Sequence, residues 1–391
     1  MYRHLVRFVL ILSCLSWAST NFAAEPVRLL PEGTLKESRQ PQAAIDAAGN
    51  IHVAFGCGND LYVATSSDAG KTFASPVKVG TPGVLSLGMR RGPRITVTEK
   101  MLVVTAIGGP LGKGKDGDLL AWRSTDNGKS WNGPVRVNDE ESSAREGLHA
   151  MAAGPKGELA CAWLDLRTKG SKVFGSTSSD GGQTWSKNFL VYDSPSGAVC
   201  PCCHPSITFD PTGNMFVMWR NALEGSRDMY FTQSSDGGKT FSMATKLGQG
   251  TWKLDVCPMD GGQIAFSPGG EMFTVWRREQ RVFLTGHADS EGTTSTDSRD
   301  QSLGQGEQPW LAANAKGAYL AWISKRNGDL FLKPPGTTVN LTVAHEATDP
   351  VVATNPTGQG PVIVCWETGP KDKTFILTQV FGAKLRTGSL D

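Results

Sequence analysis

Sulfur, imidazole and carboxylate crowd two short stretches of this 391-residue chain, Cys200-Pro201-Cys202-Cys203-His204 and Asp255-Val256-Cys257-Pro258-Met259-Asp260. Thiolate, imidazole and thioether suit copper, or zinc without the Met259 thioether, so Cys200, Cys203, His204 and Cys257 form a candidate metal set. Two other chemistries fit the same residues. Oxidation would join Cys257 to one member of the triplet as a disulfide. Cys200-x-x-Cys203-His204 also satisfies the pattern of covalent haem attachment, although no other cytochrome feature stands beside it. The chain has eight cysteines, and removal of Cys14 with a leader segment would leave an odd number, so at least one is free, intermolecular or a ligand.

Guanidinium is the second chemistry. Arg39, Arg94, Arg145, Arg220 and Arg277 recur at comparable places along the chain, and converging arginines suit an anionic ligand because each holds a carboxylate bidentately. His149, beside Arg145 and Glu146, is a candidate ligand-binding residue or general base. Asp165, in Trp163-Leu164-Asp165-Leu166-Arg167, is the candidate acid/base if the chain hydrolyses anything. Each has a plainer reading: the arginines tie loops through Glu146, Asp165, Asp228 or Glu279, and His149 is simply hydrogen-bonded at a strand start.

The elements that position these groups are read from a repeat. SSDAGKTF from Ser66, STDNGKSW from Ser124, SSDGGQTW from Ser178 and SSDGGKTF from Ser234 share one pattern, Ser-x-Asp-x-Gly-x-Thr/Ser-Trp/Phe. Their aspartates, Asp68, Asp126, Asp180 and Asp236, recur about every 55 residues, a period that fits four-stranded propeller blades with generous loops. The carboxylate accepts backbone N–H bonds in a tight turn and the glycine supplies the left-handed backbone position the turn needs, so these aspartates are hairpin staples and not catalytic acids. A second marker, an apolar run closing on an aromatic, ends at Phe55, Trp163, Trp219, Trp276, Trp322 and Trp366, and Met101–Gly108 fills the place between Phe55 and Trp163. Strand starts precede each run, at Gln40-Pro41, Gly92-Pro93, Leu148-His149, His204-Pro205, Cys257-Pro258, Gln308-Pro309 and Asp349-Pro350.

This makes seven units, the fifth with a decayed box around Asp289 and Gly292 and the last two with none. The seventh runs out of chain after its third strand. Pro26-Val27-Arg28-Leu29-Leu30 resembles the outer strands Pro76–Val79 and Pro134–Val137, and as the outermost strand of the last blade it would close the ring and cover an exposed edge. The fold expected is therefore all-β, a propeller of seven four-stranded blades with six as the alternative. In such a blade the start of the innermost strand and the end of the second share one face near the axis, and the Asp-box hairpin lies on the other. The candidate residues sit on that first face, with Cys57, Arg278 and Glu367 also following aromatic markers there.

The boxes resemble the Asp-box, or BNR repeat, of bacterial sialidases and related β-propellers, and as repeat architecture the resemblance covers nearly all of the mature chain. It implies an acidic sugar gripped by arginines, with a Tyr nucleophile activated by a Glu and an Asp as acid/base. Of the five tyrosines, Tyr192, at the start of the loop into the fourth unit, is the one that could swing toward the axis, with Glu146 as its partner. The family's Phe-Arg-Ile-Pro motif is absent, Ser38-Arg39-Gln40-Pro41 being its nearest positional relative, and that family is six-bladed.

Residues 1–24 read as an export signal: Arg3 and Arg7 give a basic start, Phe8 to Leu15 an apolar core, and Ser16-Trp17-Ala18 or Ala24 a cleavage point. Lipoprotein processing at Cys14 is the weaker alternative. Residues 25–391 then form one exported domain, periplasmic or secreted. No later run approaches a membrane span of about 18 apolar residues, and a net charge of +2 argues against a nucleic-acid partner. Asn340-Leu341-Thr342 is a formal glycosylation sequon. Three functional readings follow: a sialidase-like propeller that hydrolyses or binds acidic glycans, a copper- or zinc-binding or redox-linked propeller, or a non-catalytic interaction scaffold.

Overall fold

A computed structural model describes residues 24–287 and 300–382. Residues 1–23, which hold nearly all of the expected export signal, and the expected decayed box at Asp289 and Gly292 lie outside the described residues. Those described form strands and turns and no helix.

Four separate sheets have four antiparallel strands each in sequence order, the first running Arg39–Ile45, Ile51–Cys57, Asp60–Ser66 and Val77–Gly80. The third, fourth and fifth sheets repeat this plan from His149, Ser206 and Gln263. The second sheet adds a short strand, Val84–Leu85, against Leu102–Gly109. The remaining strands make one seven-stranded sheet. Its central strand, Leu341–Thr354, pairs through its first half with Gly328–Lys333 and through its second half with Val362–Thr368. Val27–Arg28 lies antiparallel against the edge strand Phe375–Phe381, so the N-terminal segment covers that edge.

The second strand of each unit reads as a nearly continuous apolar run, and it is buried along its length: Leu159–Asp165 and Leu102–Gly109 have no exposed residue. Burial on both faces follows from sheet-on-sheet packing. One apolar cluster joins Leu148, Leu164 and Val173 to Ile207, Val217 and Trp219, and another joins Ile45, Ile51 and Phe55 of the first sheet to Val351, Ile363 and Cys365 of the last. The aromatic markers fill these seams, with Phe55, Trp163, Trp219, Trp322 and Trp366 fully buried.

The Asp boxes form the turns expected of them. In the third, Ser178 Oγ donates to Asp180 Oδ1 at 2.8 Å and accepts from Gly182 N at 2.9 Å, while Thr184 N and Oγ1 donate to the carboxylate at 3.0 and 2.6 Å. Gly182 has φ +83°, where a side chain would be strained. Hydrogen bonds from Ser130 and Thr240 hold Asp126 and Asp236 down at about 2, so these carboxylates stay ionised and serve as staples. Ser178→Ala strands the buried Gly182 N–H and is expected to cost about 1–3 kcal/mol, read as a lower urea midpoint at unchanged slope. An unmoved midpoint would mean that the box adds nothing to stability.

Candidate functional site

The face opposite the boxes is built by the loops that enter the innermost strands. Three of them share one device. Gln40, Gln308 and Asp349, each preceding a proline, have φ values of +56°, +55° and +49°, and the pairing register slips at each. The bulge frees the backbone N–H of each residue from its own sheet, and a side chain of another unit receives it: Gln40 N donates to Glu367 Oε1 at 2.5 Å, Asp349 N to Gln308 Oε1 at 2.8 Å and Gln308 N to Asp260 Oδ2 at 2.8 Å. Amide side chains complete the chain, Gln40 Nε2 donating to Asp349 Oδ2 at 2.7 Å and Gln308 Nε2 to Asp349 Oδ1 at 3.1 Å.

Arg90 crosses to this network from the second unit. Its Nη1 donates to Pro350 O at 2.8 Å, its Nη2 to Gln308 O, and its Nε lies 3.8 Å from Asp349 Oδ1. Arg94 donates to Pro93 O at 2.9 Å and Arg90 O at 2.8 Å. Both guanidinium groups lie over the Trp310 ring, at 5.1 and 5.7 Å, and the His204 ring is 5.8 Å from it. His204 Nε2 accepts from Gln263 Nε2 at 3.1 Å. Burial and the charge of Arg94 push both His204 and His149 well below the usual imidazole range, so both are neutral. His149 Nε2 meets Thr105 Oγ1 at 3.0 Å, which makes it a buried hydrogen-bonding residue. Arg94, Trp310 and Gln263 line one end of a cavity of 350 Å³ that runs along the innermost strands of all units past small residues such as Ala43, Ala152 and Ala312.

The arginines expected to grip an anion divide into three groups. Arg220 is 1% exposed, and its Nε, Nη1 and Nη2 donate to Asp260 O, Arg227 O and Arg277 O at 3.0, 2.5 and 2.9 Å. Arg94 and Arg220 are thus committed to backbone carbonyls and tie loops together. Arg277 is committed in part, lying 3.2 Å from Glu307 and 3.8 Å from Asp260. Arg39 and Arg145 stay partly exposed. Arg39 has a loose contact, Nε to Glu367 Oε2 at 3.6 Å, and the Arg145 side chain forms no hydrogen bond or ion pair among the described residues.

Arg91, which the sequence did not single out, links these two. Its Nε donates to Glu146 O at 2.7 Å, and its turn is closed by Arg91 N donating to Gly88 O at 3.2 Å, beside the Arg39 guanidinium. Glu146 is half-buried between Arg91 and Arg145; burial raises its carboxyl and the two arginines oppose that rise. Arg39, Arg91 and Arg145 therefore make one cationic arc across the first three units.

Two expected catalytic groups are otherwise employed. Asp165 Oδ1 accepts from Arg167 N and Nε at 2.8 and 2.9 Å, and Oδ2 from Trp163 Nε1 and Arg167 Nη2 at 2.8 and 3.0 Å. With four donors on a buried carboxylate, Asp165 anchors its loop. Tyr192 stands on the outer strand Phe189–Tyr192, its Oη accepting from Asn221 Nδ2 at 3.0 Å and its ring 4.4 Å from Trp219. No hydrogen bond joins it to Glu146 among the described residues. The acid that the structure puts forward is Glu367. It is 2% exposed, and burial, then the neighbouring Asp349, raises its carboxyl to about 7, near where a general acid or base works at neutral pH. Its place after Trp366 was the one signal for it in the sequence.

The sulfur cluster differs in membership from the expected one. Cys200, Cys202 and Cys203 bring their Sγ atoms together at 3.5, 3.6 and 3.9 Å, and among the described residues no other ligand atom joins them. His204 is turned to Trp310 and Gln263, and Cys257 is exposed and unpaired. The structure thus replaces the set Cys200, Cys203, His204 and Cys257 by three thiols of one turn, and it forms no disulfide from Cys257 to the triplet.

Residues 94–285 match the model of the BNR repeat-like domain. Comparison with curated protein sequences gives no match. Among solved structures, a protein of unknown function from Dyadobacter fermentans is 17% identical with a TM-score of 0.56, the match covering 93% of this chain and 99% of that one. An alpha-L-arabinanase of Penicillium chrysogenum, complexed with arabinobiose, is 13% identical with a TM-score of 0.56 over 92% and 98% of the two chains. A leech intramolecular trans-sialidase, complexed with 2,7-anhydro-Neu5Ac, is 11% identical with a TM-score of 0.54 over 92% and 70%. At these identities the likeness concerns the fold. The chain thus carries a BNR repeat-like domain over residues 94–285, together with its four boxes, and shares the β-propeller fold of these structures.

Proposed function

We propose that this chain is an exported, seven-bladed propeller that binds a carboxylate-bearing glycan on the face opposite its Asp boxes. The observation that carries the reading is the arc of Arg39, Arg91 and Arg145. These cations are partly exposed and joined through adjoining loops, whereas Arg90, Arg94 and Arg220 are buried against carbonyls. Exposed guanidinium groups with unfilled donors are the form in which arginine recognises a carboxylate. Glu367, beside Arg39, supplies a proton-exchanging carboxyl at the edge of the arc. The sugar-bound relatives support the glycan class. Seven blades are supported by Leu341–Thr354 serving as outer strand of one unit and inner strand of the next. Residues 25–391 form a single domain in this reading, with residues 1–24 as its export signal.

The test is binding of uronate-containing or sialylated oligosaccharides against neutral arabino-oligosaccharides. Arg145→Ala and Arg39→Ala are each expected to weaken the acidic ligand about tenfold or more, as loss of a charged hydrogen bond does, and binding should fall as salt rises. Equal affinity for the neutral sugars, or no change in either variant, would defeat the proposal.

A further inference from the structure

The turn between Phe189–Tyr192 and Ser206–Phe209 carries a feature that glycan binding does not use. Cys200 and Cys203 are fully buried and Cys202 is partly exposed. Their Sγ atoms form a nearly equilateral triangle with sides of 3.5, 3.6 and 3.9 Å. The point equidistant from the three sulfurs lies about 2.1 Å from each, and an ion lifted slightly out of that plane reaches the ~2.3 Å typical of zinc–thiolate bonds. Three sulfurs around one centre from a single short turn is the arrangement soft d10 cations select.

We propose that Cys200, Cys202 and Cys203 form a three-thiolate site for one thiophilic d10 cation, zinc(II) or copper(I). Each ligand binds as thiolate, so loading releases up to three protons to solvent. A zinc centre then carries net charge −1 and a copper(I) centre −2. The backbone of Arg220 fixes the turn, Cys200 N donating to Arg220 O at 3.0 Å. The part-exposed Cys202 gives the ion its entry, and three protein ligands leave one position open for water or an added ligand on zinc. Disulfide formation competes poorly at one edge of the triangle: Cys202 and Cys203 are consecutive, and their Cα atoms, about 3.8 Å apart, fall short of the usual span of a disulfide. Cys200 with Cys203 is the competing oxidised pair.

The full chain, purified with its thiols reduced, would be titrated with zinc(II) and separately with copper(I) against a chromophoric chelator. The expected result is one equivalent of metal per chain, an affinity at least about 100-fold lower in Cys202→Ser, and no change in Cys57→Ser or Cys257→Ser. Cobalt(II) as a probe should give a thiolate-to-metal charge-transfer band in the near ultraviolet. That band and the wild-type stoichiometry decide the matter even if Cys202→Ser fails to fold. A preference for zinc or for copper identifies the cation. Less than half an equivalent of both in the reduced wild-type chain, or uptake undiminished in a folded Cys202→Ser, overturns the site; acidic-glycan binding would be untouched by either outcome.

Discussion

Arg90→Ala should lower the unfolding free energy by about 3–5 kcal/mol, the usual cost of removing one partner of a buried charge pair. Arg90 is 3% exposed, lies within 3.8 Å of Asp349, and donates across the axis to Pro350 O and Gln308 O. Without it the buried Asp349 loses its nearest cation and two carbonyls lose a charged donor. Trp310 loses the nearer of the two guanidinium groups above its ring as well. Arg90→Lys should recover little, because one ammonium cannot reach two carbonyls, a carboxylate and a ring at once. Urea unfolding compared at equal slope checks this. A loss below about 1 kcal/mol would mean that the crossing arginine is replaceable by water and that the network around Gln308 and Asp349 holds without it.

Glu367→Gln should remove a pH dependence. The folded-state carboxyl of Glu367 is raised to about 7, by burial first and by Asp349 second, while in the unfolded chain it titrates near 4.3. Between those values the folded state holds a proton that the unfolded state releases. The contribution of Glu367 is therefore fully present below about pH 4.3 and is lost as pH rises toward 7, by on the order of 3–4 kcal/mol. Glutamine keeps an oxygen for Gln40 N and never ionises. Plotted against pH, the stability of Glu367→Gln minus that of wild type should rise from pH 4.5 to 7 and level off above it. Glu146 and Asp260, also raised, titrate in both proteins and drop out of the difference. A flat difference would show that Glu367 has an ordinary carboxyl, and its place as proton donor or acceptor beside Arg39 would go with it.

The parts of the molecule written in local sequence were legible without coordinates. A box such as Ser178 to Trp185 fixes its own turn, because Ser, Asp, Gly and Thr satisfy one another within a few residues. The apolar runs to Trp163 and Trp366 gave the second strands for the same reason: burial on both faces is visible in composition. The face of the candidate site was legible as a set of positions, but the role of each residue on it was not. Whether an arginine meets a ligand or a carbonyl depends on which loop of another unit stands opposite. Arg94 and Arg220 turned inward to carbonyls, and Arg90 and Arg91, adjacent in sequence, went one to the axis and the other to the exposed arc. Asp165 carried the same positional signal as Glu367. Arg167 two residues on and Trp163 two residues back hydrogen-bond the first into its own loop, while the second met Asp349 from another loop, a juxtaposition that spacing does not encode. The thiols show the converse. Cys200, Cys202 and Cys203 converge because a single turn holds them, whereas Cys257, expected from the next loop, stays outside the group.

The proposed function turns on which face of the molecule takes the ligand. Hydrogen–deuterium exchange of the full chain with and without a uronate-containing oligosaccharide reads that face directly. The account predicts slowed exchange in residues 86–91 and 143–149, the loops that carry Arg91, Arg145 and Glu146. Slowed exchange confined to residues 97–101, 154–157 and 355–357, which lie with the Asp boxes on the opposite face, would contradict it.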